Sequence, residues 1–195
     1  REGKGKLYEG GTRVPMMWAL PGRIREGAVT PALAGHIDLY PTVLDLLGLE
    51  KKPGQVMDGV SLAPVLTGAA TAVREEFFNF FPSQQNGGGV TVVRGAHKLI
   101  RWFAPGVPRE LYDLEKDINE TTNMAERMPD KARELDARID AFLKETGALF
   151  PRPNPAYQPR PDGAAAAAAK SDKPVKIGSA EDAAFIMKNA SSVII

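Results

Sequence analysis

Residues 89–103 read GVTVVRGAHKLIRWF, two runs of β-branched, aliphatic and aromatic side chains joined by Gly95-Ala96. Such runs favour extended backbone, and a two-residue link containing glycine is short enough for a hairpin. The same texture recurs on either side, in EEFFNFF (75–81) and ELYDL (110–114), with SQQNGGG and APGVPR as the breaks. Residues 75–114 therefore predict a small antiparallel sheet. Further on, MPDKARELDARIDAFLKETG (128–147) is the clearest helix of the chain. Pro129 suits its first turn, Leu135, Ile139, Phe142 and Leu143 share one apolar face, and Gly147 ends it. This helix is expected to cover one face of the sheet.

Upstream the pattern changes. VPMMWA (14–19), closed by LPG, reads as a short buried strand and a turn. HIDLYPTVLDLLGLE (36–50) predicts a helix that Asp38 caps, with Pro41 in the first turn and Gly48 as the stop. Its apolar face is expected at Val43, Leu46 and Leu47. DGVSLAPVLTG (58–68) repeats the scheme in miniature, with Ser61 as cap and Gly68 as stop. Downstream, residues 151–174 are proline-punctuated and then alanine-rich, the texture of a linker, and 175–195 form an unassigned tail. That tail carries a capping-box pattern from Ser179 to Asp182 ahead of a short helix. The start at Arg1 and the apolar end at Val193-Ile194-Ile195 read as the ends of a fragment.

The totals exclude several classes. Of 195 residues, 25% are charged and the formal net charge is +1, which gives no support for a nucleic-acid partner. The apolar runs are too short for a transmembrane span, and no signal peptide is visible. There is no cysteine, so disulfides, thiolate zinc sites and thiol catalysis within the chain are ruled out. His36 and His97 are the two histidines, too few for a histidine-rich metal centre.

The opening stretch, GKGKLYEGGTRVP (3–15), puts glycine and mobile positive charge ahead of an apolar run. Followed by HIDLYPTVLDLLG and DGVSLAPVLTG, and later by HKLI and ELYDLEKDINETTNMA, it resembles the formylglycine-dependent sulfatases of the alkaline-phosphatase superfamily. The likeness covers roughly residues 3–157. It implies an α/β fold: the C-terminal portion of an alkaline-phosphatase-like sulfatase, with a small antiparallel sheet plus helix subdomain. Residues 1–72 would end the catalytic α/β domain and 73–150 would form the C-terminal subdomain. In that family the lysine four positions before the motif's tyrosine contacts the sulfate group, and here that position is Lys4, before Tyr8. An ammonium is a compact charge whose donors can follow the oxygens of a departing sulfate. Lys6 reads instead as surface charge. Glu9 and Arg13 are expected to form an internal ion pair that steadies Lys4 from behind.

The resemblance further implies Ca2+ and a formylglycine made by a formylglycine-generating enzyme, with a sulfate ester, of a carbohydrate in the nearest members, as substrate. It implies a periplasmic or secreted protein and no membrane partner. No serine of this chain fits the C/S-x-P-x-R nucleophile stretch, and the calcium ligands would precede Lys4. No metal ligand is therefore expected within the chain, and no turnover from it alone. The relatives' histidine-containing HYPH-like stretch is replaced by NFFPSQQNGGG (79–89). Asn79, Gln84 and Gln85 could there offer neutral hydrogen bonds to sugar hydroxyls. One of Phe77, Phe78, Phe80 and Phe81 could stack on a sugar, although core packing is the ordinary fate of such a run. His36 reads as a capping or hydrogen-bonding residue and His97 as an exposed turn residue. The sequons at Asn119 and Asn189 read as chance matches. Two rivals remain: a phosphate mono- or diester hydrolase of the same superfamily, and a non-catalytic glycan- or partner-binding remnant.

Overall fold

The computed structural model describes residues 3–82 and 88–150, all of which fall in one compact unit. The linker and tail expected over 151–195, with Asn189, lie outside the described residues, as do Gln84 and Gln85. In chain order the elements are α1 (Glu9–Thr12), a 3-10 turn (His36–Asp38), α2 (Leu39–Leu47), α3 (Ala63–Leu66), β1 (Glu76–Phe81), β2 (Gly89–Arg94), β3 (His97–Trp102), β4 (Glu110–Asp113) and α4 (Pro129–Glu145).

The four strands form one antiparallel sheet in the order β1-β2-β3-β4, with Gly95 at φ 57° in the tight β2–β3 turn. Side chains alternate across a strand, so the register sorts them into two faces. On one face Val90, Val92, Leu99 and Leu111 meet Ala132, Leu135 and Ile139 of α4. Leu135 and Ile139 lie one turn apart and are fully buried, each contributing roughly 1.5–3 kcal/mol of apolar burial. Phe78 stacks on Phe142 with centroids 4.3 Å apart. Ion pairs ring this contact. Arg101 Nε donates to Asp136 at 2.6 Å and its Nη1 to Asp140 at 2.6 Å, while Arg138 reaches Glu76 at 2.5 Å. Pro129 is the first residue of α4, and Gly147, at φ 59°, follows its end.

The opposite face carries the rows Phe81–Gly89–Trp102, Asn79–Thr91–Ile100–Glu110 and Phe77–Val93–Lys98–Tyr112. It is not left to solvent: Leu7 and Tyr8 pack with Ile100 and Tyr112 there, flanked by Phe81, Trp102 and Leu114. Gly89 allows the approach, since a Cβ at that position would meet Leu7 Cδ1 at 2.8 Å and the Arg101 carbonyl oxygen at 2.6 Å.

The upstream elements depart from expectation in three ways. Residues 14–19 belong to no helix or strand, and Val14 and Met17 are 54% and 60% exposed. They form no buried strand here. The inward face of α2 is Pro41, Thr42 and Leu46, while Val43 and Leu47 face out. Hydrogen bonding sets this rotation, for the Thr42 hydroxyl donates to the Asp38 carbonyl at 2.6 Å and accepts from the Leu62 N–H at 2.8 Å. Asp38 occupies the N-cap position of α2, yet its side chain does not cap that helix. Its carboxylate instead accepts from the Gly35 N–H at 2.7 Å, the Val60 N–H at 2.9 Å and Arg74 Nη1 at 2.8 Å. A fully buried carboxylate needs such partners. The stops behave as expected, with Gly48 and Gly68 at φ 67° and 80°. The Ser61 hydroxyl accepts from the Ala63 N–H at 3.1 Å, at the first turn of α3.

Candidate functional site

The segment that carries Lys4 is built from its anchors outward. Residues 3–6 make a tight turn, with the Lys6 N–H donating to the Gly3 carbonyl at 3.3 Å and Gly5 at φ 84°. The chain then drops Leu7 and Tyr8 onto the sheet, where both are buried. The Tyr8 ring sits 5.8 Å from Trp102 and 6.4 Å from Tyr112, centroid to centroid. Its hydroxyl donates to the Glu110 carboxylate at 2.9 Å, which also accepts from Trp102 Nε1 at 3.0 Å and the Tyr112 hydroxyl at 2.5 Å. Three aromatic donors on one carboxylate fix the ring in place.

α1 follows at once. The Gly11 and Thr12 N–H groups donate to the Tyr8 carbonyl at 2.8 and 3.0 Å. A Cβ at Gly11 would fall 2.2 Å from the Lys6 carbonyl oxygen and 2.8 Å from that of Gly3. The 3–6 turn therefore rests directly on the backbone of α1, a contact that glycine alone admits.

Glu9 supplies the second anchor. Its Oε1 lies 2.8 Å from Lys98 Nζ, whose side chain is 0% exposed. Lys98 Nζ is also 2.9 Å from Glu120 Oε1, and the other oxygen of Glu120 accepts from the Glu9 N–H at 2.6 Å. One ammonium is thus held by two carboxylates, and both carboxylates hold residue 9. Arg13 meets Glu9 Oε2 at 3.4 Å, but its side chain is 65% exposed. The expected Glu9–Arg13 pair is present and is the weaker partner, because solvent screens it while Lys98 is shielded.

Lys4 itself is exposed, and no hydrogen bond or ion pair joins it to the described residues. Asn79 lies on the same sheet face as the Leu7–Tyr8 anchor, with its Nδ2 3.5 Å from the Thr91 hydroxyl. Phe78 and Phe80 turn to the α4 side of the sheet. Phe77 lies 5.0 Å beneath the Arg74 guanidinium. His36 is exposed at the start of the 3-10 turn, and His97 is half-buried as the first residue of β3 rather than exposed in the turn.

Sequence reasoning missed Lys98, Glu110, Glu120 and Trp102. A signal existed for Lys98: it sits in a strand whose neighbours Leu99 and Ile100 bury both faces, so its own side chain had to enter an interior. Glu120 carried none, being a glutamate at φ 55° in a polar turn.

What the arrangement offers is an exposed lysine on a segment anchored at Tyr8 and Glu9. Among the described residues no group of three or more His, Asp or Glu side chains gathers in a way that could hold a metal ion. Nor does Ser61 stand in a C/S-x-P-x-R stretch, since Leu62-Ala63-Pro64-Val65 follow it. The described residues therefore fit neither a calcium site nor a formylglycine. No helix among them is long and apolar enough to cross a membrane.

Comparison with known proteins shows the family and the fold. The family described as N-sulphoglucosamine sulphohydrolase, C-terminal, matches residues 3–146. Human arylsulfatase A is 35% identical over 146 residues, which cover 64% of this chain and 28% of the relative. A sulfatase of Formosa agariphila is 32% identical over 163 residues, covering 74% of this chain and 29% of the relative. The chain spans less than a third of the length of either. Among solved structures, one determined in complex with its substrate D-glucosamine-2-N,6-O-disulfate superposes with a TM-score of 0.55 at 24% identity, over 65% of this chain and 27% of that one. The candidate sulfatase yidJ of Bacteroides fragilis superposes with a TM-score of 0.55 at 18% identity, over 65% and 28% of the two chains. At such identities the likeness is one of fold.

Proposed function

The chain belongs to the sulfatase family, as a match to the C-terminal region of N-sulphoglucosamine sulphohydrolase, and from that premise we propose that it serves a sulfuric-ester hydrolase acting on sulfated carbohydrate. Residues 1–72 end the catalytic α/β domain and 73–150 form its C-terminal subdomain. Lys4 is the catalytic and substrate-binding residue of this part. Its ammonium neutralises the sulfuryl oxygens, where negative charge builds as the S–O bond to the alcohol breaks, and preorganised charge at such a place is usually the largest catalytic effect. Asn79 offers a neutral hydrogen bond to the sugar. Glu9 and Arg13 act behind Lys4, Glu9 through its buried partners and Arg13 through its looser contact.

The observation that carries this reading is the double anchoring of the Lys4 segment, by Tyr8 on Glu110 and by Glu9 on Lys98. A surface lysine with no task has no need of a loop fixed from both sides. Because the described residues fit neither calcium nor formylglycine, no step assigned to this chain runs through either. Both belong to the complete enzyme, which a formylglycine-generating enzyme matures and which works in the periplasm or outside the cell.

The test is direct. The complete polypeptide, co-expressed with a formylglycine-generating enzyme, is offered an aryl sulfate, a sulfated glucosamine and the matching phosphate monoester. The account expects sulfate release from the first two at rates well above phosphate release. Faster hydrolysis of the phosphate ester would move the protein to phosphoryl chemistry. Binding of the sulfated sugar without any release would make it a non-catalytic binder.

A further inference from the structure

We propose that Lys98 is a positioning residue for the Lys4 ammonium, an inference that rests on the sulfate-contact reading of Lys4. The connection is an unbroken run of short contacts. Lys98 Nζ holds Glu9 Oε1 at 2.8 Å and Glu120 Oε1 at 2.9 Å. Glu120 returns its second oxygen to the Glu9 N–H at 2.6 Å, so the ring closes on the residue that begins α1. α1 then carries Gly11 beneath the 3–6 turn, where a side chain has no room. Lys4 stands in that turn. Displacement of residue 9 therefore moves the floor on which the amine stands.

Holding the fold together does not by itself call for an ammonium at position 98. The side chain is 0% exposed, and taking a cation and two carboxylates out of water costs more than an apolar residue of similar volume would. An apolar residue could pack in the row between Val93 and Tyr112. It could not place two carboxylates, because apolar contact has no direction. Lys98 does: it fixes the oxygen of Glu9 from the sheet side and leaves Glu120 oriented toward the Glu9 backbone. A sheet strand, a rigid element, thereby controls the geometry of a short loop that would otherwise hold a mobile charge.

The distinguishing experiment is a double-mutant cycle in the complete, matured polypeptide with 4-nitrophenyl sulfate as the probe: wild type, Lys4→Ala, Lys98→Met and both together. Lys98→Met is expected to lower kcat about 10- to 100-fold with KM little changed, the size seen when a supporting contact is lost. Its effect is expected to vanish when Lys4 is already alanine, since there is then no amine to misplace. Amide exchange at Gly11, Thr12 and Arg13 is expected to speed up while that at Leu135 and Ile139 stays unchanged. Should Lys98→Met fail to fold, the same cycle is run with Glu120→Gln, which removes one carboxylate charge and keeps the shape. Additive losses in the cycle, or an unchanged kcat in a folded Lys98→Met protein, overturn the proposal and leave the Lys4 reading standing. A Lys4→Ala protein as fast as wild type overturns both.

Discussion

Glu120 is the one described residue other than glycine with a positive φ, at 55°, a conformation that glutamate adopts only when its neighbours enforce it. Asp117 is the enforcing residue. Its carbonyl accepts from the Glu120 N–H at 3.0 Å, and its Oδ2 accepts from the Thr121 and Thr122 N–H groups at 2.8 Å each. The Thr122 N–H foremost, and then that of Thr121, hold the Asp117 carboxyl below its ordinary value of 3.8. A depressed folded-state value means stabilisation that is fully present above pH 3.8 and lost as the pH falls through the lower folded value. Asp117→Asn should therefore melt below wild type at pH 7, and the gap should close in acid. Thermal melts across that range check it. At Gly11 the constraint is steric, because the clash is with backbone oxygens that cannot move aside. Gly11→Ala should cost about 2 kcal/mol or more by denaturant unfolding. The glycine-rich opening stretch is consistent with the close approach at Gly11, but nothing in the sequence marks Glu120 or Asp117, and Lys4 stands out through a motif alone.

At the scale of elements, legibility followed periodicity. The sheet and α4 were legible because each repeats its apolar positions at the spacing its geometry requires and is closed by glycine or opened by proline. Leu135→Ala, at a fully buried position of α4, should cost about 2–5 kcal/mol in chemical denaturation. α2 was legible as a helix and misread in its orientation. Apolar periodicity pointed to Val43, Leu46 and Leu47, of which Leu46 alone is buried, whereas the buried threonine beside them fixes the rotation through Asp38 and Leu62. Thr42→Val keeps the shape and leaves the Leu62 N–H without that acceptor. It should destabilise by about 1–3 kcal/mol, readable in the same experiment. The run at 14–19 misled for another reason. Strand propensity becomes a strand only where a neighbour completes the ladder, and none of the described residues does so.

The described residues are organised around a sheet used on both faces. One face is an ordinary core under α4, and the other is the platform on which Leu7 and Tyr8 of the Lys4 segment pack. The division explains how a sheet distant in sequence anchors the segment that carries Lys4: Glu9 and Lys98 are separated by 89 positions and Tyr8 and Glu110 by 102. Long-range polar anchors of this kind leave no periodic trace, so the fold could be read from the sequence while the platform could not. The central claim is that the platform exists to present the Lys4 amine to a sulfate ester. A crystal structure of the complete protein bound to a sulfated glucosamine, with its nucleophile disabled, tests this most directly. The account predicts Lys4 Nζ at hydrogen-bonding distance, about 2.7–3.2 Å, from a sulfuryl oxygen, with the Glu9–Lys98–Glu120 contacts intact. A bound sulfate group with Lys4 turned away into solvent would contradict it.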